Sequence, residues 1–324
     1  MSMSSAAISE APVASSIPPR SPAPDAEKAW AALKWATDIA RLDPSALESP
    51  PAKPSPADWR ALSVPRVREL MDALLLGRHA SEGLEALHRC GMLDVWLPEV
   101  AGLVGFGSGD WRHKDVWVHT KQVVKQSVPR LNVRWGALLH DIGKPRTRRV
   151  SPNGEVHFHG HAEVGAAMFR KRLAGRLGFE GELYERVHFL ILQHLRGSQY
   201  DGSWTDSAVR RFYKEMGPGL DELLLLSRAD ITTKHRDKRR RALRYISGLA
   251  ARVRALKLED QREPALPKGL GNLFMERLGI PPSKRLGELR QALEDEVEQG
   301  TLLPRQPAEY YLEWLLSHRE RFGL

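Results

Sequence analysis

The sequence predicts an all-α protein, and three observations carry that reading. Apolar residues recur at helical spacing almost throughout from about residue 59 to the end, and Pro, Gly and Asn punctuate these stretches. Strand-like alternation is confined to "GEVHFH", after the turn signal Pro152-Asn153-Gly154. Residues 1–58 are rich in Pro, Ala and Ser. They carry too few large apolar groups to offset their ordering entropy, so flexibility is expected there, including the stretch "ESPPAKPSPAD". The exception is "AEKAWAALKWATDIARL", whose spacing predicts one amphipathic helix over 27–42, with Trp30, Leu33, Ala36 and Ala40 near one face and docked on the body.

With 324 residues, 42% of them hydrophobic, the chain can bury a sizeable core in one large domain or two smaller ones. Its formal net charge of +9 favours polyanionic partners such as nucleic acid or nucleotides, although such an excess is also compatible with a merely solvated surface. One cysteine, Cys90, rules out an intrachain disulfide and a cysteine metal cluster. No basic segment followed by an apolar stretch opens the chain, and no window is apolar for long enough to span a bilayer. A cytoplasmic protein with no membrane contact is expected.

The chemistry concentrates on apolar helical faces. In "DVWVHTKQVV", His119 falls in register with Val116 and Val123, where an apolar residue belongs. "VRWGALLHDIGKP" places His140 and Asp141 on the side shared by Val133 and Ala137, with Lys144 three residues beyond the aspartate and Pro145 expected to halt the helix. His161 opens a helix lined by Val164, Gly165 and Met168; His194 follows Val187, Leu190 and Ile191; Asp230 follows Leu223, Leu226 and Ser227. A single histidine on an apolar face is more often a hydrogen-bonded core residue than a ligand. Six such donors together point instead to metal. His119, His140, Asp141 and Asp230 can hold one divalent ion, and His161 with His194 a second, with Asp141 shared. One or two ions of Mn, Fe, Co, Ni, Zn or Mg suit these nitrogen and oxygen donors, and ions so placed support phosphoester hydrolysis with Lys144 as a charge clamp.

Five stretches, "HKDVWVHT", "LLHDIGKP", "HFHGHAEVGA", His194 and "SRAD", resemble the HD-domain phosphohydrolases. The segments "VPRVRELMDALLLGRHASEGLEALHRCGMLDVWLPEV" and "GIPPSKRLGELRQALEDEVEQGTL" are similar to the HD-carrying body of bacterial CCA-adding enzymes and poly(A) polymerases. The resemblance covers roughly residues 60–315. It implies an HD-domain helical bundle over 101–255, a neck-like helical segment over 59–100 and additional C-terminal helices over 256–324. It also implies metal positions at His119, His140, Asp141 and Asp230, with His161 and His194 at additional histidine positions. Asp141 and Lys144 become the catalytic candidates, and nucleotide monoesters or RNA ends bearing a 2′,3′-cyclic phosphate the implied substrates. The nucleotidyltransferase head of those enzymes needs a Gly-Ser turn followed by an aspartate pair on a strand. "GFGSGDW" is followed by no such strand, and no head is expected.

Beyond Asp230, "TKHRDKRRR" sets Lys234, Arg236, Lys238, Arg239, Arg240 and Arg241 along one continuing helix, either a ridge for RNA phosphates or a solvated face. Trp111 and Trp117 flank the entry to the His119 helix, as packing residues or as platforms for a base. The expected activity is metal-dependent phosphohydrolysis of nucleotides or tRNA-like RNA ends. Its rivals are a non-catalytic RNA-binding body and the body of a split nucleotidyltransferase whose head is a separate chain.

Overall fold

A computed structural model describes residues 24–107, 115–261 and 265–324. Helices dominate, as the periodicity predicts, and the described residues include only two short strands. The chain divides into two compact units between Ala250 and Ala251. None of the described helices is long and apolar enough to cross a membrane.

The first unit opens with α1 (Ala26–Arg41), capped by the Asp25 side chain, which accepts from the Lys28 N–H. Ala29, Leu33, Ala36 and Ala40 are fully buried, whereas Trp30 is half-buried, with the Arg66 guanidinium 4.4 Å above its ring. This small-residue stripe lets α2 (Val64–Leu76) and α3 (Ala80–Arg89) approach closely. A Cβ added at Gly83 would lie 2.7 Å from the Ala40 Cβ. The segment before α2, expected to be flexible, instead carries fixed contacts. Ser55 and Asp58 form a capping box, and Asp58 also accepts from the Asp25 N–H at 2.7 Å. Buried Trp59 donates to the Cys90 carbonyl, and Trp96 donates to that of Trp59.

Next come α4 (Val116–Gln126) and α5 (Leu131–Leu139). Every residue from Val133 to Gly143 is buried, so α5 is enclosed on all sides and forms the axis of the bundle. It ends at Leu139, well before Pro145, which lies in the first turn of a separate one-turn helix, Lys144–Thr147. The expectation that Pro145 halts the His-Asp helix is therefore corrected: proline is tolerated in a first turn, where its missing N–H is not needed. The strand segment pairs as a hairpin, β1 (Arg149–Val150) antiparallel to β2 (Val156–His157).

The unit is completed by α6 (His161–Met168), α7 (Gly181–Gln193), α8 (Asp206–Met216) and α9 (Leu220–Ala229). The helix α10 (Arg236–Gln261) follows. The second unit holds α11 (Leu270–Leu278), α12 (Lys284–Glu298) and α13 (Ala308–Ser317) around a core of its own that includes Phe274, Leu293 and Tyr311.

Gly143 sets the distance between the end of α5 and the start of α6. A Cβ there would collide with the His161 carbonyl and sit 2.8 Å from the Gly165 amide nitrogen, both of them backbone atoms that cannot swing aside. Gly143→Ala is expected to cost about 1–3 kcal/mol, read as a fall in Tm of several degrees. An unchanged Tm would contradict this close approach.

Candidate metal centre

The predicted ligands come together, and they do so at helix ends. His119 lies in the first turn of α4, and His161 is the first residue of α6. His140, His194 and Asp230 are the C-terminal caps of α5, α7 and α9, with Asp141 one residue further. Helix C-termini leave carbonyls without intrahelical partners. The His140 Nδ1 lies 2.9 Å from the Ala137 carbonyl and the His194 Nδ1 2.8 Å from that of Ile191, three residues back in each case. His161 repeats the arrangement with the Phe158 carbonyl at 2.8 Å. A ring nitrogen facing a carbonyl must carry the hydrogen, so each of these Nδ1–H groups donates, and each ring, when neutral, turns an Nε2 lone pair inward.

The Nε2 atoms converge on one another and on two carboxylates. The His161 and His194 Nε2 atoms are 3.1 Å apart, and those of His119 and His140 are 3.3 Å apart. Asp141, 1% exposed, lies between the two pairs. Its Oδ2 is 3.2 Å from His140 Nε2 and 3.5 Å from His119 Nε2; its Oδ1 is 3.5 Å from His161 Nε2 and 4.0 Å from His194 Nε2. Asp230 Oδ1 closes on His119 Nε2 at 3.0 Å. The donors fall into two triads, His119-His140-Asp230 and Asp141-His161-His194. Asp141 thus groups with the second pair of histidines, while its other oxygen reaches the first. Where these rings are neutral, imidazole and carboxylate acceptors face one another, an arrangement that a cation among them relieves, and the donor set fits a divalent ion.

The electrostatics distinguish the rings: burial would lower His140, but the charge and hydrogen bond of Asp141 raise it. Burial alone would raise Asp141, yet the charge and hydrogen bond of His140, with Lys144 and His119, hold its carboxyl well below the usual range. Burial likewise opposes the lowering of Asp230, where the hydrogen bond from His119 prevails. Burial lowers His161 despite the opposing pull of Asp141; with His140 nearby, burial pushes His194 down to about 4. Both rings are therefore neutral donors near pH 7.

Lys144 places its Nζ 2.7 Å from Asp141 Oδ2 and 5.7 Å from the centre of the Phe158 ring. Two residues not anticipated from the sequence hold the ligands. Thr232 Oγ1 lies 2.9 Å from His119 Nδ1. Gln126 donates from Nε2 to the carbonyls of Ala229 and Ile231, on either side of Asp230. The only sequence signal for Thr232 is its place two residues after a ligand. Lys234, Arg236, Lys238, Arg239, Arg240 and Arg241 are all exposed at and before the start of α10, and Lys234 and Arg239 line a cavity that reaches His119. Trp117 is buried and donates to Glu85, so it is not available to stack a base; Trp111 lies outside the described residues, as does part of "GFGSGDW".

A helical bundle carrying this His-Asp pair with spaced histidine and aspartate partners defines an HD domain, and the HD domain family matches residues 116–234. Residues 60–103 match the family described as the probable RNA and SrmB-binding site of polymerase A. The chain is 32% identical over 303 residues to the A-adding tRNA nucleotidyltransferase of Deinococcus radiodurans, covering 89% of this chain and 68% of that protein. It is 34% identical over 263 residues to the CC-adding tRNA nucleotidyltransferase of Thermus thermophilus, covering 79% and 57%. Over 116 residues it is 33% identical to the multifunctional CCA protein of Tolumonas auensis, covering 34% and 27%. The chain belongs to the tRNA nucleotidyltransferase family and corresponds to its HD-carrying body.

If the facing ring nitrogens are a cation site, adding a divalent ion to protein stripped by a chelator is expected to raise Tm, and to go on raising it with the logarithm of the free ion concentration. The gain is about 2.7 kcal/mol when the free ion exceeds its Kd a hundredfold. A Tm that does not respond to Mn, Fe, Co, Ni, Zn or Mg would contradict the assignment.

Proposed function

We propose that this chain is a metal-dependent phosphohydrolase acting on nucleotides or on the 3′ ends of tRNA-like RNA, with His119, His140, Asp141, His161, His194 and Asp230 as ligands of one or two divalent ions. The observation that carries the reading is the position of Asp141, whose two oxygens face two separate groups of inward Nε2 atoms. Bound ions would supply water activation and charge neutralisation for a P–O ester cleavage. The chain's own part is to hold the ligands rigid through their Nδ1 hydrogen bonds. Lys144 fixes Asp141 and adds positive charge where phosphoryl oxygens would lie. The exposed cations from Lys234 to Arg241 would meet the RNA backbone.

A second reading has support of its own. The tRNA nucleotidyltransferases that the chain matches bear nucleotide-adding names, and the chain spans 68% of the first and 57% of the second. With residues 60–103 matching an RNA-binding family, this suits a body that binds RNA and works with a separate nucleotidyltransferase chain. A screen of purified protein with each candidate metal against 2′,3′-cyclic and linear nucleotides separates the two. Hydrolysis supports the first reading, while RNA binding without hydrolysis under any metal supports the second.

Asp141→Ala is expected to abolish hydrolysis and leave the helical content near wild type by circular dichroism. Lys144→Ala is expected to keep its metal and lose on the order of a hundredfold in kcat, about 3 kcal/mol. Hydrolysis that survives Asp141→Ala at the wild-type rate would place the activity elsewhere. For the basic segment, replacing Arg240 and Arg241 with Gln should weaken RNA binding and flatten its salt dependence, by about 0.9 in log–log slope for each phosphate that is no longer neutralised. An unchanged slope would leave these residues as a solvated face.

A further inference from the structure

Beside the first ligand triad lies a cavity of about 360 Å³, bordered by Val118, His119, Gln122, Thr232, Lys234 and Arg239. Its size falls at the low end of the range typical of small-molecule sites, about 300–1,000 Å³, and suits one nucleoside better than two. The surfaces it offers are of three kinds. Val118 is 57% exposed, an apolar side chain left in solvent at the edge of a polar site. Gln122 lies one helical turn further along α4, exposed, and its amide has no partner among the described residues. It thus presents a donor and an acceptor together, the combination that reads a base edge. Gln126, another turn on, is already committed to the carbonyls of Ala229 and Ile231.

Lys234 and Arg239, which also line the cavity, are exposed, and neither is paired with a carboxylate among the described residues. His119 lines it too, with its Nε2 facing Asp230 and its Nδ1 met by Thr232. The cavity therefore brings together an apolar side chain, a free amide, two cations without a carboxylate partner and a metal-type ligand. A nucleotide carries the matching chemistries, an apolar base face, a hydrogen-bonding base edge and a phosphate.

We infer that this cavity is a nucleoside subsite: it seats the nucleoside that carries the scissile phosphate, with its base against Val118 and Gln122 and its phosphate between His119 and the Lys234 and Arg239 cations. The inference rests on the hydrolytic reading of the metal centre for the phosphate's position, and it adds the selection of nucleotide esters over other phosphate esters. Gln122 becomes a specificity-determining residue, because a ligand without a base makes no hydrogen bond to its amide. Arg239 contributes charge without selecting the base.

Calorimetric titration of the full, metal-loaded chain tests this without depending on turnover. The probes are adenosine 3′-phosphorothioate, whose sulfur slows cleavage, and ribose 5-phosphate, which lacks a base. Wild type is expected to bind the nucleotide at least tenfold tighter than the sugar phosphate. Gln122→Leu should remove most of that gap, Val118→Ser should narrow it, and Arg239→Gln should weaken both ligands by a similar factor. Thermal unfolding of each variant confirms that it is folded; both Gln122 and Val118 are exposed, so their replacement leaves the core intact. Equal affinity of wild type for the two ligands, or a gap that persists in Gln122→Leu and Val118→Ser alike, would overturn the subsite. A wild-type protein that hydrolyses no ester under any metal yet shows the Gln122-dependent gap would overturn the hydrolytic reading and leave the nucleoside subsite standing.

Discussion

Three hydrogen bonds from imidazole Nδ1–H groups to backbone carbonyls hold the centre of this protein together. His140 and His194 each satisfy a carbonyl that their helix leaves without an internal partner, and His161 satisfies that of Phe158. The bond that finishes a helix is thus the same bond that fixes which nitrogen of the ring is free. Orientation and tautomer of these three rings come with the fold, through backbone carbonyls alone. The consequence is a buried cluster of ring nitrogens around Asp141, whose carboxylate meets Lys144 and His140 and whose donor set suits a cation.

The remaining structure of the first unit serves to bring those helix ends to one point. The buried helix α5 carries His140 and Asp141 at its end, and Gly143, immediately beyond, lets the first residue of α6 come in against it. Trp135 of α5 donates to Asp72, which also accepts from Arg68, so the N-terminal helices are tied to the same axis. Gln126 fixes the backbone on both sides of Asp230. An aspartate at a helix C-terminus is disfavoured by the helix dipole, and its placement there is compensated by His119 at 3.0 Å. His119 differs from the other three histidines of the centre in being oriented by a hydroxyl, that of Thr232, and in bordering the adjacent cavity.

Much of this was legible in the sequence. Six donor residues on apolar faces are an anomaly that periodicity exposes, and the helical character follows from the same spacing. The class of domain was legible too, because His140-Asp141 and its partners form a specific pattern. Other features were not, for physical reasons. Periodicity does not reveal where a helix ends when a buried apolar run continues past its last turn, so His140, His194 and Asp230 read as members of helical stripes when they are caps. Pro145 has the same composition signal whether it ends one helix or begins another. The contacts of Asp58 with Asp25 and of Trp59 with Cys90 span 33 and 31 residues, and a Pro-rich segment gives no local sign of them. The division of the donors into two triads depends on which oxygen of Asp141 faces which ring, and that exists only in three dimensions.

The most direct measurement is long-range nitrogen–proton NMR of the histidine rings in protein loaded with zinc, which is diamagnetic. His140, His161 and His194 are expected to show hydrogen on Nδ1 and none on Nε2, with the Nε2 resonances shifted when the ion is removed. A ring among these three with its hydrogen on Nε2 in the loaded protein would contradict the arrangement from which the metal centre is built.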